Sequence, residues 1–317
     1  MILSASRRTD IPAFFPKWFI QRIREGFVLV RNPMNYHQIS RIDLSPNLVD
    51  CIVFWTKNAQ PIFPYLEEIY EKYPFYFQYT LNDYGRDVEP HLPLLSEKIN
   101  SLQKLSQKIG KERVIWRYDP ILLSPKYDVN WHIETFDRLA RELSPYVENC
   151  VFSFLDLYKT IDKNIRECGA RTCSEVEMIK LADRFAEIGQ LNHLQLSTCA
   201  EKIDLTSRGI HHNKCIDPEL ISRITGYEIQ AAKDKNQREE CGCVESVDIG
   251  QYNTCRHNCC YCYANFNFKS VSTFTAQHDD TSPLLVGNLS FEDKVTVRKL
   301  KSLKVRRNNS AQLNLWD

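Results

Sequence analysis

The segment CIVFWTKNAQPIFPYLEEIYEKYPFYFQYT, residues 51–80, contains a repeating unit from which the fold class follows. It begins with the apolar run Cys51–Thr56 and ends with Phe75–Thr80, both rich in the aromatic and β-branched residues that favour strands. The residues between these runs have helical periodicity. A strand, a helix and a second strand in this order predict that the two strands pair in parallel.

The same alternation continues over roughly the first 250 residues, a length typical of one α/β barrel. Helical periodicity is clearest in the stretches that begin at Trp131 and Val176. Eight strand–helix units predict an α/β fold of the TIM-like (β/α)8 type, complete or partial, with an open doubly wound sheet as the alternative. The six further predicted strands are Ile2–Arg7, Val28–Asn32, Val114–Asp119, Cys150–Asp156, His193–Thr198 and Val244–Ile249.

Composition narrows the class of protein. A formal charge of +1 on 317 residues excludes a globally basic chain, so any nucleic-acid affinity must come from a local patch. No apolar run approaches the length of a membrane span, and the opening MILSASRRTD is the reverse of a signal peptide. We therefore expect a cytoplasmic protein with no membrane partner. Six of the twelve cysteines fall between Cys241 and Cys262, and such clustering in a reducing compartment indicates a metal site.

The densest part of this cluster is CRHNCCYCY, which begins at Cys255. Cys255, Cys259 and Cys262 have the spacing C-x3-C-x2-C, in which three thiolates on one tight loop can hold three irons of a [4Fe–4S] cluster. Cys260 permits other spacings, so a structural zinc site using four of these thiols is the alternative.

This loop resembles the cluster motif of radical S-adenosylmethionine (SAM) enzymes. The resemblance implies that the fourth iron binds SAM, and that one electron, from a separate donor, yields a 5′-deoxyadenosyl radical. It also implies that Tyr261 packs near the adenine. Radical SAM enzymes usually carry the motif after the first strand, whereas here it follows the predicted eighth strand. Strands eight and one are neighbours in a barrel, so we predict a circularly permuted barrel with the loop at its carboxyl-end mouth.

Four further stretches indicate a family: SASRRTDIPAF, CGCVESVDIGQYNTC, YCYAN and HDDTSPLLVG. In these the chain resembles the uncharacterised domain-of-unknown-function family numbered eighteen forty-eight, over essentially its whole length. The resemblance implies a radical-SAM-like C-terminal cysteine cluster and leaves the reaction open. The Gly-Gly-Glu element that holds the SAM amino group in many radical SAM enzymes is missing from the sequence. Arg7, Arg8 and Asp10, on the predicted neighbouring strand, are our candidates to replace it.

Polar residues at the ends of predicted strands suggest a substrate pocket. Lys57, Arg117 and Asp119 could bind a carboxylate or phosphate, or equally form an ion pair at the barrel mouth.

Four more cysteines, Cys199, Cys215, Cys241 and Cys243, could hold a second iron–sulfur cluster or a zinc ion. Cys199 ends a predicted strand and Cys241 precedes one, so the two could instead lie at opposite faces as separate thiols.

We divide the chain into an α/β barrel over residues 1–265, with the cluster loop at 250–265, and a C-terminal extension over 266–317. The extension ends in Gln312, Leu313, Leu315 and Trp316, which resemble the short peptide by which bacterial DNA enzymes dock onto the sliding clamp. Phosphate contact or a solvated helix face would explain its basic residues. These are Lys294, Arg298, Lys299, Lys301, Lys304, Arg306 and Arg307.

These features together predict a radical-SAM-like iron–sulfur enzyme. The basic extension favours nucleic acid as the substrate, in DNA repair or modification. The alternative is a non-catalytic module that holds zinc or an electron-transfer cluster.

Overall fold

A computed structural model describes residues 1–305. The strands are β1 (Ile2–Ala5), β2 (Phe27–Arg31), β3 (Gln38–Asp43), β4 (Cys51–Thr56), β5 (Phe75–Thr80), β6 (Val114–Ile121), β7 (Asn149–Phe154), β8 (Gln195–Thr198), β9 (His211–His212), β10 (Val247–Asp248) and β11 (Lys294–Val297). The α-helices are α1 (Ile11–Phe14), α2 (Pro16–Glu25), α3 (Leu66–Lys72), α4 (Leu95–Ile109), α5 (Val129–Leu143), α6 (Asp162–Glu167), α7 (Glu175–Leu191), α8 (Pro218–Thr225) and α9 (Phe268–Ala276). Short 3-10 helices occupy Gln60–Tyr65, Lys111–Arg113 and Thr206–Arg208.

The central sheet has eight strands in the order β10-β1-β4-β5-β6-β7-β8-β9, and every neighbouring pair is parallel. The predicted α/β class with parallel strands is confirmed. β10, the strand that precedes the cysteine loop, pairs with β1, with Leu3 opposite Val247. Within residues 1–305, β9 and β10 do not pair, so the sheet is open, which is consistent with a partial barrel or with the alternative, an open doubly wound sheet.

One predicted barrel strand belongs elsewhere. Val28–Asn32 corresponds to β2, which pairs antiparallel with β3 in a separate three-stranded sheet, where β11 pairs with β3 from the other side. The connection from β2 to β3 is a short loop, which suits an antiparallel hairpin and is too short for a parallel crossover. The two-residue strand β9 takes the remaining place in the central sheet.

The two faces of the central sheet bury different cores because successive side chains of a strand point to opposite faces. One face packs against the helices, where Phe136 of α5 stacks on Phe185 of α7 with ring centroids 3.9 Å apart. The other face is covered by α8 and the chain that follows it, and it buries Tyr76, Val151 and several cysteines. We call this second face the inner face.

The first part of the predicted extension packs against the rest of the chain. Trp18 Nε1 donates to the carbonyls of Ser282, at 2.9 Å, and Leu284, at 3.1 Å. The N-terminal amine donates to the Lys301 carbonyl at 2.8 Å. Arg306, Arg307 and the proposed clamp-docking residues lie outside the described residues. In the part of the chain that the structure covers, no helix has the length and apolar character needed to cross a membrane.

Candidate functional site

The cysteine loop, residues 250–265, is fixed to the end of β1. Asp248 of β10 accepts hydrogen bonds from Ser6 Oγ at 2.8 Å, Arg7 N at 2.8 Å and Gly250 N at 2.9 Å. At Gly250 a Cβ atom would overlap Ser6 Oγ and lie 2.6 Å from Ser6 Cβ, so only glycine allows this approach. The loop therefore begins against the carboxyl end of β1, where parallel sheets carry their sites.

The three motif cysteines lie together in this loop. Cys255 and Cys259 are buried and Cys262 is half-buried. Burial raises the pKa of the Cys255 thiol, and the nearby thiols of Cys262 and Cys259 raise it further. Burial also raises the pKa of Cys259 to about 12, against an opposing effect of Lys57. Among residues 1–305, no group of three or more His, Cys, Asp or Glu side chains is arranged to hold a metal ion.

Asp10 joins the cysteine loop to two strand ends. Its carboxylate accepts from Thr56 Oγ1 at 2.8 Å, from Lys57 N at 2.8 Å and from Ala13 N at 2.9 Å, where it caps α1. The second carboxylate oxygen lies 2.9 Å from His257 Nε2 in the cysteine loop. Four protein contacts occupy this predicted cofactor-binding residue, and such contacts suit a residue that positions the loop.

The other two residues predicted on this strand have different surroundings. The Arg7 guanidinium lies over the Trp55 ring at 5.2 Å and 3.6 Å from Asp234 Oδ2. One of its nitrogens, Nη2, is buried without a hydrogen-bond partner among residues 1–305. Arg8 is half-buried, with Nε 3.9 Å from Asp248 and its guanidinium over the Tyr252 ring. Arg7 is therefore the better placed of the two to bind an anion.

Tyr261 takes part in a buried ionic network that the sequence did not reveal. Its hydroxyl accepts a 2.7 Å hydrogen bond from Lys57 Nζ and itself donates to Glu89. Lys57 Nζ lies 2.9 Å from Glu89 Oε1, and Lys98 Nζ lies 3.4 Å from Glu89 Oε2. Although burial works to raise it, the pKa of Glu89 is lowered by the two lysines. Glu89 follows β5 in a loop, and no motif marked it.

Arg117 and Asp119, the other predicted pocket residues, form an ion pair with Nη2 and Oδ2 2.6 Å apart. Ser153 donates a further hydrogen bond to Asp119. Arg117 Nη1 also lies 2.9 Å from Cys215 Sγ. The structure thus brings the pair to the inner face beside a cysteine of the second predicted group.

That second group is assembled as well. Cys199 Sγ and Cys215 Sγ are 3.4 Å apart. The Cys215 thiol contacts Cys243, and Cys243 contacts Cys241. The expectation that Cys199 and Cys241 could lie at opposite faces is not met, because the chain after β9 folds back onto the inner face.

Glu201 follows β8 and was not among the predicted site residues. Its side chain accepts a 2.8 Å hydrogen bond from Phe154 N, and burial raises its pKa to about 8. Asp156 and Asp119 raise the pKa further, against Arg238. This carboxyl group is therefore largely protonated at pH 7.

A cavity of about 800 Å³ lies away from the cysteine loop, at the edge of the sheet formed by β8 and β9. Arg208, His211 and Lys214 contribute to its lining. Carboxylates share the lining, and Lys214 Nζ lies 2.8 Å from Glu219 Oε1, so the cavity has mixed charge. No motif cysteine is among the residues that line it.

A family model described as "Domain of unknown function (DUF1848)" matches residues 2–264. The chain belongs to the DUF1848 family. The matched DUF1848 region runs from β1 to the end of the cysteine loop and thus contains both groups of cysteines. No curated protein and no solved structure matches the chain.

Proposed function

We propose that this DUF1848 protein is a radical-SAM-like enzyme whose [4Fe–4S] cluster is held by Cys255, Cys259 and Cys262. The observation that carries the proposal is that these three thiols, two buried and one half-buried, lie near one another in a loop at the carboxyl end of β1. Thiolates are the usual ligands of such clusters, and the C-x3-C-x2-C spacing leaves one iron open. When bound, the cluster would supply the electron that cleaves SAM to a 5′-deoxyadenosyl radical.

Several buried polar atoms around the loop have no hydrogen-bond partner in residues 1–305, and a bound group could supply one. The six buried side-chain atoms in residues 1–305 that have no hydrogen-bond partner include His257 Nδ1, Asn265 Oδ1, Thr9 Oγ1 and Arg7 Nη2. All four belong to the cysteine loop or to the segment after β1. An unpaired buried polar group costs about 1–3 kcal/mol, so several near one loop favour a site completed by a bound group.

The order of the central sheet supports a circular permutation relative to other radical SAM enzymes. The loop that follows the last sheet strand of the family region meets the strand that begins the chain. If the chain began at β10, the cysteine loop would follow the first strand, and β1 would be the second strand beside it. This is the position that the motif usually has in radical SAM enzymes.

Arg7 is our leading candidate for the carboxylate of SAM. Its Nη2 is free to donate, and guanidinium groups bind carboxylates with paired hydrogen bonds. Arg8 would assist from the loop entrance. Asp10 would hold the loop through His257, and Tyr261 would stay near the adenine while its hydroxyl remains bound to Glu89 and Lys57.

For the substrate we favour nucleic acid, because the basic residues between Lys294 and Lys304 are mostly exposed and phosphate attracts such surfaces. The predicted pocket residues are already engaged: Lys57 contacts Glu89, and Arg117 pairs with Asp119 on the inner face. Contact with the substrate would therefore fall to the exposed basic residues. The twelve free cysteines fit a reducing compartment such as the cytoplasm, with a separate electron donor. A pull-down by sliding clamp that is lost when Leu315 and Trp316 become alanine would support DNA chemistry.

Anaerobic reconstitution tests the cluster. We expect about four irons per loop site, and release of 5′-deoxyadenosine after reduction with SAM. Replacing Cys255, Cys259 and Cys262 together by alanine should abolish both. Cys260→Ala is the matched control, since it removes a cysteine of the same loop outside the motif spacing, and it should retain iron and SAM cleavage. Equal iron in the triple variant would overturn the proposal.

The alternative, a non-catalytic zinc or iron–sulfur module, rests on two observations. Asp10 and Tyr261 are already engaged by protein groups, and the cavity of about 800 Å³ lies elsewhere. Metal that depends on the three cysteines, together with an absence of SAM binding and cleavage, would favour this module over the enzyme.

A further inference from the structure

Four cysteines distant from the motif loop in sequence form a continuous line of thiol contacts on the inner face. Cys199 contacts Cys215 with the sulfurs 3.4 Å apart, Cys215 contacts Cys243, and Cys243 contacts Cys241. They come from three separate segments: the end of β8, the chain before α8 and the chain before β10. Buried thiols can pack anywhere in a core, so the meeting of four of them at one place calls for an explanation.

We propose that Cys199, Cys215, Cys241 and Cys243 bind one zinc ion, as a site distinct from the motif loop. Among residues 1–305 no group of three or more His, Cys, Asp or Glu side chains is already arranged to hold a metal ion, so zinc would have to draw these four thiols together. In a tetrahedral zinc site with bonds of about 2.3 Å, the sulfurs stand roughly 3.8 Å apart. The observed 3.4 Å between Cys199 and Cys215 is close to this separation, so this pair could share one ion, and Cys241 and Cys243 would have to approach it. A four-iron cube holds its thiolates farther apart, because irons and sulfides separate them.

The charge around the thiols suits a tetrathiolate. One zinc ion with four thiolates has a net charge of two minus, which would be costly on a buried face without cations. Arg117 Nη1 lies 2.9 Å from Cys215 Sγ, and the Arg7 guanidinium acts electrostatically on Cys243 and Cys215. Arg117 also pairs with Asp119, and Arg7 with Asp234. The positive charge of each arginine is therefore shared between a carboxylate and the thiolates.

Neutral donors are directed at the same sulfurs. Asn213 Nδ2 lies 3.4 Å from Cys215 Sγ, and the backbone N–H of Ile216 lies 3.4 Å from Cys243 Sγ. Hydrogen bonds to ligating atoms orient them and tune the metal. Such a site would tie the segments before α8 and before β10 to the end of β8. Its role is therefore structural.

Metal analysis of the full chain tests this site independently of the cluster. The test protein carries alanine at Cys255, Cys259 and Cys262, is produced with zinc in the medium, and is desalted before elemental analysis. We expect one zinc per chain. Adding Cys215→Ala or Cys243→Ala should reduce zinc at least tenfold, whereas adding Cys51→Ala, which removes another buried inner-face cysteine, should leave it unchanged. Zinc retained by both cysteine variants, or absent from the parent, would overturn the proposal.

Two further measurements leave Cys199, Cys215, Cys241 and Cys243 unchanged, so they do not depend on whether the cysteine variants fold. Cobalt added to the zinc-depleted protein should give the intense visible and near-ultraviolet bands of tetrahedral thiolate coordination. Mass spectrometry after alkylation should show Cys199, Cys215, Cys241 and Cys243 becoming reactive only after a chelator removes zinc, while the half-buried Cys168 reacts throughout. A cobalt spectrum without thiolate bands, or alkylation that ignores the chelator, would contradict the site.

Discussion

His257 Nε2 lies 2.9 Å from Asp10 Oδ2, and this contact joins the cysteine loop to the segment that follows β1. The two residues are far apart in sequence, and they meet because β10 pairs with β1. The same carboxylate caps α1 and holds the end of β4. One buried acid therefore joins the loop to two strand ends, in addition to the contacts of Asp248.

The first prediction concerns that acid. Asp10→Ala should lower the free energy of unfolding by about 2–4 kcal/mol, because a helix cap is lost and buried donors are left without an acceptor. Urea unfolding followed by circular dichroism measures this. Asp128→Ala is the control, since Asp128 caps α5 at an exposed position with a 2.8 Å bond to Trp131 N and should cost about 1 kcal/mol. Equal losses of unfolding free energy in the two variants would show that Asp10 acts only as a helix cap and does not stabilise the loop contact.

A second prediction concerns the buried network around Glu89. Glu89→Gln leaves Lys57 and Lys98 without a charged partner, and breaking a buried ion pair from one side costs about 3–5 kcal/mol. The control is Glu68→Gln, which removes a surface partner of Arg24 and should change the free energy of unfolding by less than about 1 kcal/mol. If chemical unfolding gives similar values for both, the Glu89 network is not stabilising the fold.

Two strands were predictable because their residues form near-continuous apolar runs, which are typical of strands buried on both faces. Cys51–Thr56 and Phe75–Thr80 have the bounds expected from the sequence, and β10 lies beside β1 as predicted. The two-residue strand β9 has no pattern of its own, since its conformation depends on pairing with β8. The apolar run of β2 predicted a strand correctly, but a pattern within one strand does not identify its partner.

For the two groups of cysteines, the sequence indicated which residues belong together but not how the chain brings the second group together. The spacing of Cys255, Cys259 and Cys262 identified one group, because a short loop keeps its residues close in space. The approach of Cys199 to Cys215 depends on how the chain after β9 returns over the inner face, which no local pattern encodes. Glu89 was missed for the same reason, since its partners come from different strand ends.

A third prediction follows from the pKa of Glu201, which burial raises from 4.5 to about 8. The folded chain holds this proton over a range in which the unfolded chain has lost it. The contribution to stability is therefore full below pH 4.5 and is lost as the pH rises through about 8. Glu201→Gln mimics the protonated form, so wild type should lose stability relative to this variant between pH 5 and 8. Urea unfolding at several pH values measures the difference, and parallel curves would show that Glu201 has an ordinary pKa.

The last prediction concerns Gly250, where the cysteine loop leaves β10. In Gly250→Ala the new methyl would overlap Ser6 Oγ and approach Ser6 Cβ to 2.6 Å. We expect a loss of about 1–3 kcal/mol in unfolding free energy from overpacking, with reduced iron uptake on reconstitution. Gly209→Ala is the control for backbone strain alone, because Gly209 has a φ of +71° and nothing within 4 Å of a new Cβ.

The partner of Gly250 allows a rescue that separates steric overlap from other effects of the added methyl. Ser6→Gly removes both atoms that the alanine would meet most closely, so the double variant should be more stable than the sum of the two single losses predicts. The single Ser6→Gly variant also loses the 2.8 Å bond to Asp248, and its own cost must be measured in the same cycle. Recovered iron uptake in the double variant would tie the geometry of the loop to this contact. Strict additivity of the two losses would show that the overlap is relieved by other movements, and that the approach of the loop to β1 is not what restricts position 250 to glycine.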